Sequence, residues 1–244
     1  MKSKEPYITC IVSKGRTFRV KPMEELVKNA VWFVPQPELN DYLAEYTMGS
    51  VQPCASGLAN QRNDALEFCF EQDKICLMMD DDISGFTRII NSNKTEKISF
   101  EDISKELHTN LINSPLKIAG FQWHVNMLWF NPLNRISLKS SLPTAFLMIK
   151  PSKPRFDKNL ELGEDTDFTL QHILQYGGAL RINYMQVKAN VTKMDNKKLT
   201  FKKTMKGGLE YNLEKQKKSF NYLRNKWGSL VKEGKTPYHV ALRL

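Results

Sequence analysis

Apolar residues fall along the chain in short unbroken runs. Residues 7–12, 30–34, 75–79, 118–121, 144–149 and 179–187 each read as a strand, and their continuous apolar character is that of strands buried in a parallel sheet. Between them the pattern changes to helical spacing. Residues 22–29 start on Pro22, and 39–46 follow Pro35 and Pro37. A third helix begins at Leu58 and spaces Leu58, Ala65, Leu66, Cys69 and Phe70 along one side. Ser99-Phe100-Glu101-Asp102 resembles a capping box, and Ile103, Leu107 and Leu111 follow at four-residue steps. Gly163 leads into a helix carrying Phe168, Ile173 and Leu174, which Gly177-Gly178 closes. A last helix over 209–227 has Leu213, Phe220, Leu223 and Trp227 on one face and Lys215, Lys217, Lys218 and Lys226 on the others. Residues 53–57 read as a turn, and 83–93 as a mixed stretch running into polar residues. This alternation predicts an α/β fold: a mostly parallel sheet flanked by helices, with a basic helical C-terminal segment. With no internal repeat or low-complexity linker, residues 1–244 read as one domain.

Composition changes that picture in one respect. The net charge is +10, yet residues 188–244 alone carry +11 and the other 187 carry −1. A basic surplus confined to one quarter favours a polyanionic partner, nucleic acid or a membrane surface, over a merely solubilising face. No apolar run approaches the ~20 residues of a bilayer span, and residues 1–6 carry no signal-peptide core. Cys10, Cys54, Cys69 and Cys76 have no CxxC or other metal spacing and read as reduced core thiols of a cytoplasmic protein.

The chemistry concentrates in two acidic clusters. Ile75-Cys76-Leu77-Met78-Met79 runs directly into Asp80-Asp81-Asp82, at the strand end where open α/β sheets bind ligands. Adjacent carboxylates repel, and a divalent cation between them makes the arrangement favourable. Asp80 and Asp82 share one side of an extended chain and so are placed for Mn²⁺ or Mg²⁺. The second cluster is Glu161-Leu162-Gly163-Glu164-Asp165-Thr166-Asp167, where helix capping alone would explain an acidic residue. Paired with the first cluster, Asp165 or Glu164 is a candidate base toward an attacking hydroxyl. Ser13, Lys14 and Arg16 beside Gly15 form a candidate nucleotide loop. Arg62 and Asn63 lie near a helix N-terminus that favours anions. Gln122 to Phe130 carries Trp123, His124, Trp129 and Phe130, more commonly a core pattern than a ring-stacking platform.

Over residues 7–190 this order of parts resembles a GT-A fold (Rossmann-like) glycosyltransferase: nucleotide loop, Arg-Asn helix start, DxD strand end, and Glu-Asp about 80 residues later. The wording Ala59-Asn60-Gln61-Arg62-Asn63, Met79-Asp80-Asp81-Asp82-Ile83 and Gly163-Glu164-Asp165-Thr166-Asp167-Phe168 is similar to the phage TET-associated glycosyltransferases, which act on hydroxymethylated pyrimidines such as 5-hydroxymethylcytosine in DNA. The resemblance implies a nucleotide-sugar donor, a UDP-sugar, held by residues 1–90, with Ser13, Lys14, Arg16, Arg62, Asn63, Asp80 and Asp81 in contact with it. It implies an acceptor and catalytic half over 115–205, with Asp165 and Glu164 as catalytic residues, and a basic tail over 206–244 that meets double-stranded DNA. Asp80 and Asp82 would hold the metal. Many such enzymes add a late His; none follows the strand ending near Asn190, and His239 is the one late candidate. Three other readings stand beside it, the first a GT-A glycosyltransferase acting on a non-DNA acceptor: a glycan, a lipid or a protein. A nucleotidyltransferase also uses paired aspartates, but its Gly-Ser lies close before them, whereas Gly49-Ser50 is about 30 residues upstream. A nucleic-acid-binding protein would use the acidic clusters only as caps.

Overall fold

The computed structural model describes residues 6–46, 49–91, 94–122, 134–189, 213–234, 238 and 240–243. The chain begins with β1 (Tyr7–Val12), α1 (Val20–Leu26), β2 (Val31–Pro35), α2 (Leu39–Glu45), β3 (Ser50–Cys54), α3 (Leu58–Phe70) and β4 (Ile75–Asp80). A hairpin follows, β5 (Ile83–Asn91) and β6 (Lys94–Ile98), then α4 (Phe100–Ile112), β7 (Ile118–Gln122), β8 (Ile136–Ser137) and β9 (Phe146–Ile149). The last part is α5 (Glu164–Tyr176), β10 (Leu180–Ala189), α6 (Leu213–Trp227) and a small hairpin, β11 (Val231–Glu233) with β12 (Val240–Leu242).

The large sheet has the order β3-β2-β1-β4-β9-β7-β10-β5-β6, with β8 on the side of β10. Strands β3, β2, β1, β4, β7, β10 and β6 run one way, and β9, β5 and β8 the other, so the sheet is mixed but mostly parallel in direction. Alternation along the strands divides the core. Ile11, Leu77 and Met79 face a layer closed by α1, α2 and α4, while Cys10, Val12, Cys76 and Met78 face one closed by α3 and α5. Ser99 Oγ accepts the backbone N–H of Asp102, the cap that its motif predicts, and Ile103, Leu107 and Leu111 are fully buried.

Two stretches differ from the sequence expectation. Residues 50–54 form strand β3 although 53–57 reads as a turn: β3 is the sheet's edge, where Pro53 need not donate to a further neighbour. Residues 83–91 form the full strand β5, an antiparallel strand on which Ile83, Phe86, Thr87 and Ile89 are buried while Ser84, Ile90 and Asn91 are exposed. The segments 123–133 and 190–212, and His239, lie outside the described residues.

After β1 the chain moves to one side of it for β2 and β3, then returns to the other side for β4. Such a reversal opens a crevice at the strands' carboxyl ends, between β1 and β4. Because β9 is antiparallel, the segment entering it reaches the same edge, and Asp80 N–H donates to Ala145 O at 3.0 Å.

Candidate functional site

The crevice between β1 and β4 is a cleft of about 500 Å³ lined by Ser13, Lys14, Arg16, Arg62, Asp80, Asp81 and Asp82, together with Val12, Gly57, Leu58 and Gln61. Seven sequence-predicted residues therefore meet there. The three aspartates do not share one environment. Asp81 is buried: Arg16 Nη1 donates to its Oδ1 at 2.7 Å, and Ser13 Oγ donates to its Oδ2. Arg19, itself buried, donates to the Asp81 carbonyl at 2.9 Å. Ser13 is held in turn by the Tyr42 hydroxyl at 2.6 Å, and Gln61 Nε2 donates to Ser13 O at 2.7 Å and Phe33 O at 3.1 Å. Asp81 thus fastens the 13–16 loop to the end of β4.

Asp82 is different. Its Oδ1 is buried with no hydrogen-bond partner in the protein. Burial, then the charges of Asp80 and Asp81, push its carboxyl up to about 6, and Arg16 only partly offsets them. A buried acceptor among like charges is the donor chemistry that a hard divalent cation satisfies, so Asp80 and Asp82 fit Mn²⁺ or Mg²⁺.

Arg62 joins the two acidic clusters. Only 2% exposed, it donates from Nη2 to Asp80 Oδ1 at 3.1 Å and from Nη1 to Glu164 Oε1 at 2.8 Å. Burial alone would lower its pKa, but Asp80 and Glu164 together hold the guanidinium above its ordinary value. The guanidinium lies 5.3 Å from the Phe156 ring centroid, and Phe156 stacks on Phe168 at 4.0 Å. Asn63 lies outside the cleft lining. It clamps the backbone of Phe156, donating to its carbonyl at 2.9 Å and accepting its N–H at 2.8 Å. The Arg-Asn pair therefore builds the floor on which the guanidinium sits.

Glu164 and Asp165 open α5, where the helix dipole favours carboxylates. Asp165 Oδ1 accepts the Thr166 N–H at 2.6 Å, and burial followed by the Glu164 charge raises its carboxyl to about 6. It lines a second hollow of about 310 Å³ with Ser141, Thr166, Gln216, Ser219 and Tyr238 among its neighbours. Gly163 precedes it at φ +76°, and a Cβ there would stand 3.0 Å from Leu223 Cδ1 of α6, so glycine serves both the turn and the close approach. Phe156, Gln61, Tyr42 and the α6 residues Gln216 and Ser219 carry no motif. Only Gln61, inside the quoted 59–63 string, had any sequence signal.

No protein-family model matches the chain, and no curated protein does. Solved structures overlay on it, among them the following three. A TarS fragment from S. aureus is 10% identical over 74% of this chain and 60% of its own, with a TM-score of 0.45. A Bacillus anthracis protein assigned as a glucose-1-phosphate thymidylyltransferase is 10% identical over 72% and 86%, with a TM-score of 0.42. A protein from STIV is 15% identical over 75% and 85%, with a TM-score of 0.37. At those values the overlays set no activity for this chain. Among the described residues, no helix is long and apolar enough to cross a membrane.

Proposed function

We propose that this chain is a metal-dependent glycosyltransferase of the GT-A type. It moves a sugar from a nucleotide sugar, a UDP-sugar, to a hydroxyl, and the acceptor is a hydroxymethylated pyrimidine in double-stranded phage DNA. The observation that carries the reading is the Arg62 bridge, which ties the metal-type carboxylate Asp80 to the helix start bearing Asp165. Asp80 and Asp82 would hold the cation, whose chemistry when bound is to neutralise a departing nucleoside diphosphate. Lys14 and Arg16 line the same cleft and supply positive charge toward phosphate.

Asp165 faces the other hollow and is the base. It takes the proton of the acceptor hydroxyl, and the freed oxygen pair forms the bond to the anomeric carbon. The bond from that carbon to the diphosphate oxygen breaks, and its electrons leave with the diphosphate. This describes direct displacement with inversion. Asp81 and Glu164 act as positioning residues, the first through Ser13 and Arg16 and the second through Arg62. DNA as the acceptor is supported by the +11 carried by residues 188–244.

The test is nucleoside mass spectrometry on hydroxymethylpyrimidine DNA incubated with the protein, Mn²⁺ and a pool of nucleotide sugars, with Asp82→Asn as control. A hexose- or pentose-sized gain absent from the control is the expected result. Release of pyrophosphate from a nucleoside triphosphate instead would make the chain a nucleotidyltransferase. Metal-independent DNA binding with no donor binding would make it a binding protein only.

A further inference from the structure

Three cysteines that look unrelated in sequence converge behind the cleft. Cys10 lies in β1, Cys76 in the adjacent strand β4, and Cys69 in the last turn of α3, and all three are fully buried. Their sulfurs lie within 4.8 Å of one another, and Cys10 Sγ is 3.4 Å from Cys69 Sγ. Strand alternation explains the pairing: Cys10 and Cys76 point to the face that α3 covers. The surroundings are apolar, with Ala65, Leu66, Met78 and Phe33 in the same cluster.

We propose that Cys10, Cys69 and Cys76 form a three-sulfur site for a soft monovalent cation, Cu(I). A three-coordinate metal about 2.3 Å from each sulfur spaces the sulfurs by about 4.0 Å, which this cluster accommodates with small rotamer changes. Sulfur donors select soft cations. Structural zinc requires four ligands, and among the described residues no His, Asp or Glu joins the group, nor does Cys54.

The thiolate is the ligand form of cysteine, so uptake of the cation displaces thiol protons. Access runs through the end of α3, since Cys69 lies one residue before its terminus and residues 71–73 beyond are exposed. Occupancy would pin α3 and β4, which carry Arg62 and Asp80, and β1, which leads directly into Ser13.

The experiment is an anaerobic titration of the reduced full chain against the coloured Cu(I)–bicinchoninate complex. One equivalent withdrawn by the protein, unchanged in Cys54→Ser and reduced at least tenfold in Cys69→Ser and Cys76→Ser, is the expected result. X-ray absorption on the loaded protein should show three sulfur neighbours and no nitrogen or oxygen. The same spectrum decides the matter if the serine variants lose their circular-dichroism signature of folding. No withdrawal of Cu(I), uptake that survives in folded Cys69→Ser, or a nitrogen or oxygen neighbour would each overturn the site.

Discussion

Arg62 and Glu164 stand 102 positions apart in sequence, and their side chains meet at 2.8 Å. The other arm of the same guanidinium holds Asp80 at 3.1 Å. Removing the cation leaves two carboxylates facing each other across a buried gap. Arg62→Met should therefore cost about 3 kcal/mol of stability, the scale of breaking a buried ion pair. Denaturant unfolding checks this through a lower midpoint at unchanged slope. Arg62→Lys should recover only part of the loss, because an ammonium does not reach both acceptors in a fork. A variant as stable as the parent would show that the bridge is not a stabilising contact.

Asp82→Asn should move stability and function in opposite directions. The wild-type residue adds a third negative charge to a cluster where Oδ1 has no partner. Neutralising it relieves that repulsion, so the metal-free variant should melt at a higher temperature than the parent at pH 7. Millimolar Mn²⁺ should raise the melting temperature of the parent and leave that of the variant unchanged. A variant that melts lower and still responds to Mn²⁺ would mean that Asp82 is an ordinary structural carboxylate.

The pH dependence follows from the same carboxyls. Asp82 and Asp165 hold their protons up to about 6 in the folded protein, against an ordinary value of 3.8. The folded state then binds more protons than the unfolded state between these values, so their contribution to stability is complete below about pH 4. It is lost as pH rises through 6 and is flat beyond. Thermal melts of the metal-free protein should show this fall, and Asp82→Asn with Asp165→Asn should flatten it. Because a base must be ionised, kcat should rise about tenfold per pH unit below 6 and level off above it. Asp165→Asn should lower kcat by about 10²–10⁴ while leaving donor binding intact; lost binding would make Asp165 structural.

Much of this arrangement was legible from local pattern. The Ile75–Asp80 strand end, the Ser99 cap and the glycine-bounded helix from Glu164 each follow from rules that act over a few residues. Contacts that depend on how distant elements pack were not legible. Nothing near Arg62 announces Glu164, and nothing near Asn63 announces Phe156, 93 positions away. The cysteine trio escaped for the same reason, since its ligands come from three elements and share no spacing. Edge strand β3 was hidden by Pro53, a residue that edges tolerate and interiors do not.

The C-terminal helix is fastened to the helix that carries Asp165 by one buried carboxylate. Asp167 is fully buried, and its Oδ1 accepts the Trp227 indole N–H at 2.7 Å and pairs with Lys226 Nζ at 2.9 Å. Gln171 Nε2 donates to the other oxygen at 2.7 Å, and Lys226 also reaches Asp157 at 2.7 Å. Trp227→Phe keeps the ring's bulk but removes one donor from a buried charge, a loss of about 2 kcal/mol. The loss should fall on α6, whose apolar anchor around Leu223 and Leu170 is small, rather than on the central sheet. Hydrogen exchange by mass spectrometry should show faster exchange over Leu213–Trp227 with β1 and β4 unchanged. Because Gln216 and Ser219 of α6 line the hollow beside Asp165, the same variant should raise KM for the acceptor and leave KM for the donor unchanged. Equal changes in both would mean that α6 supports the whole domain and not the acceptor side.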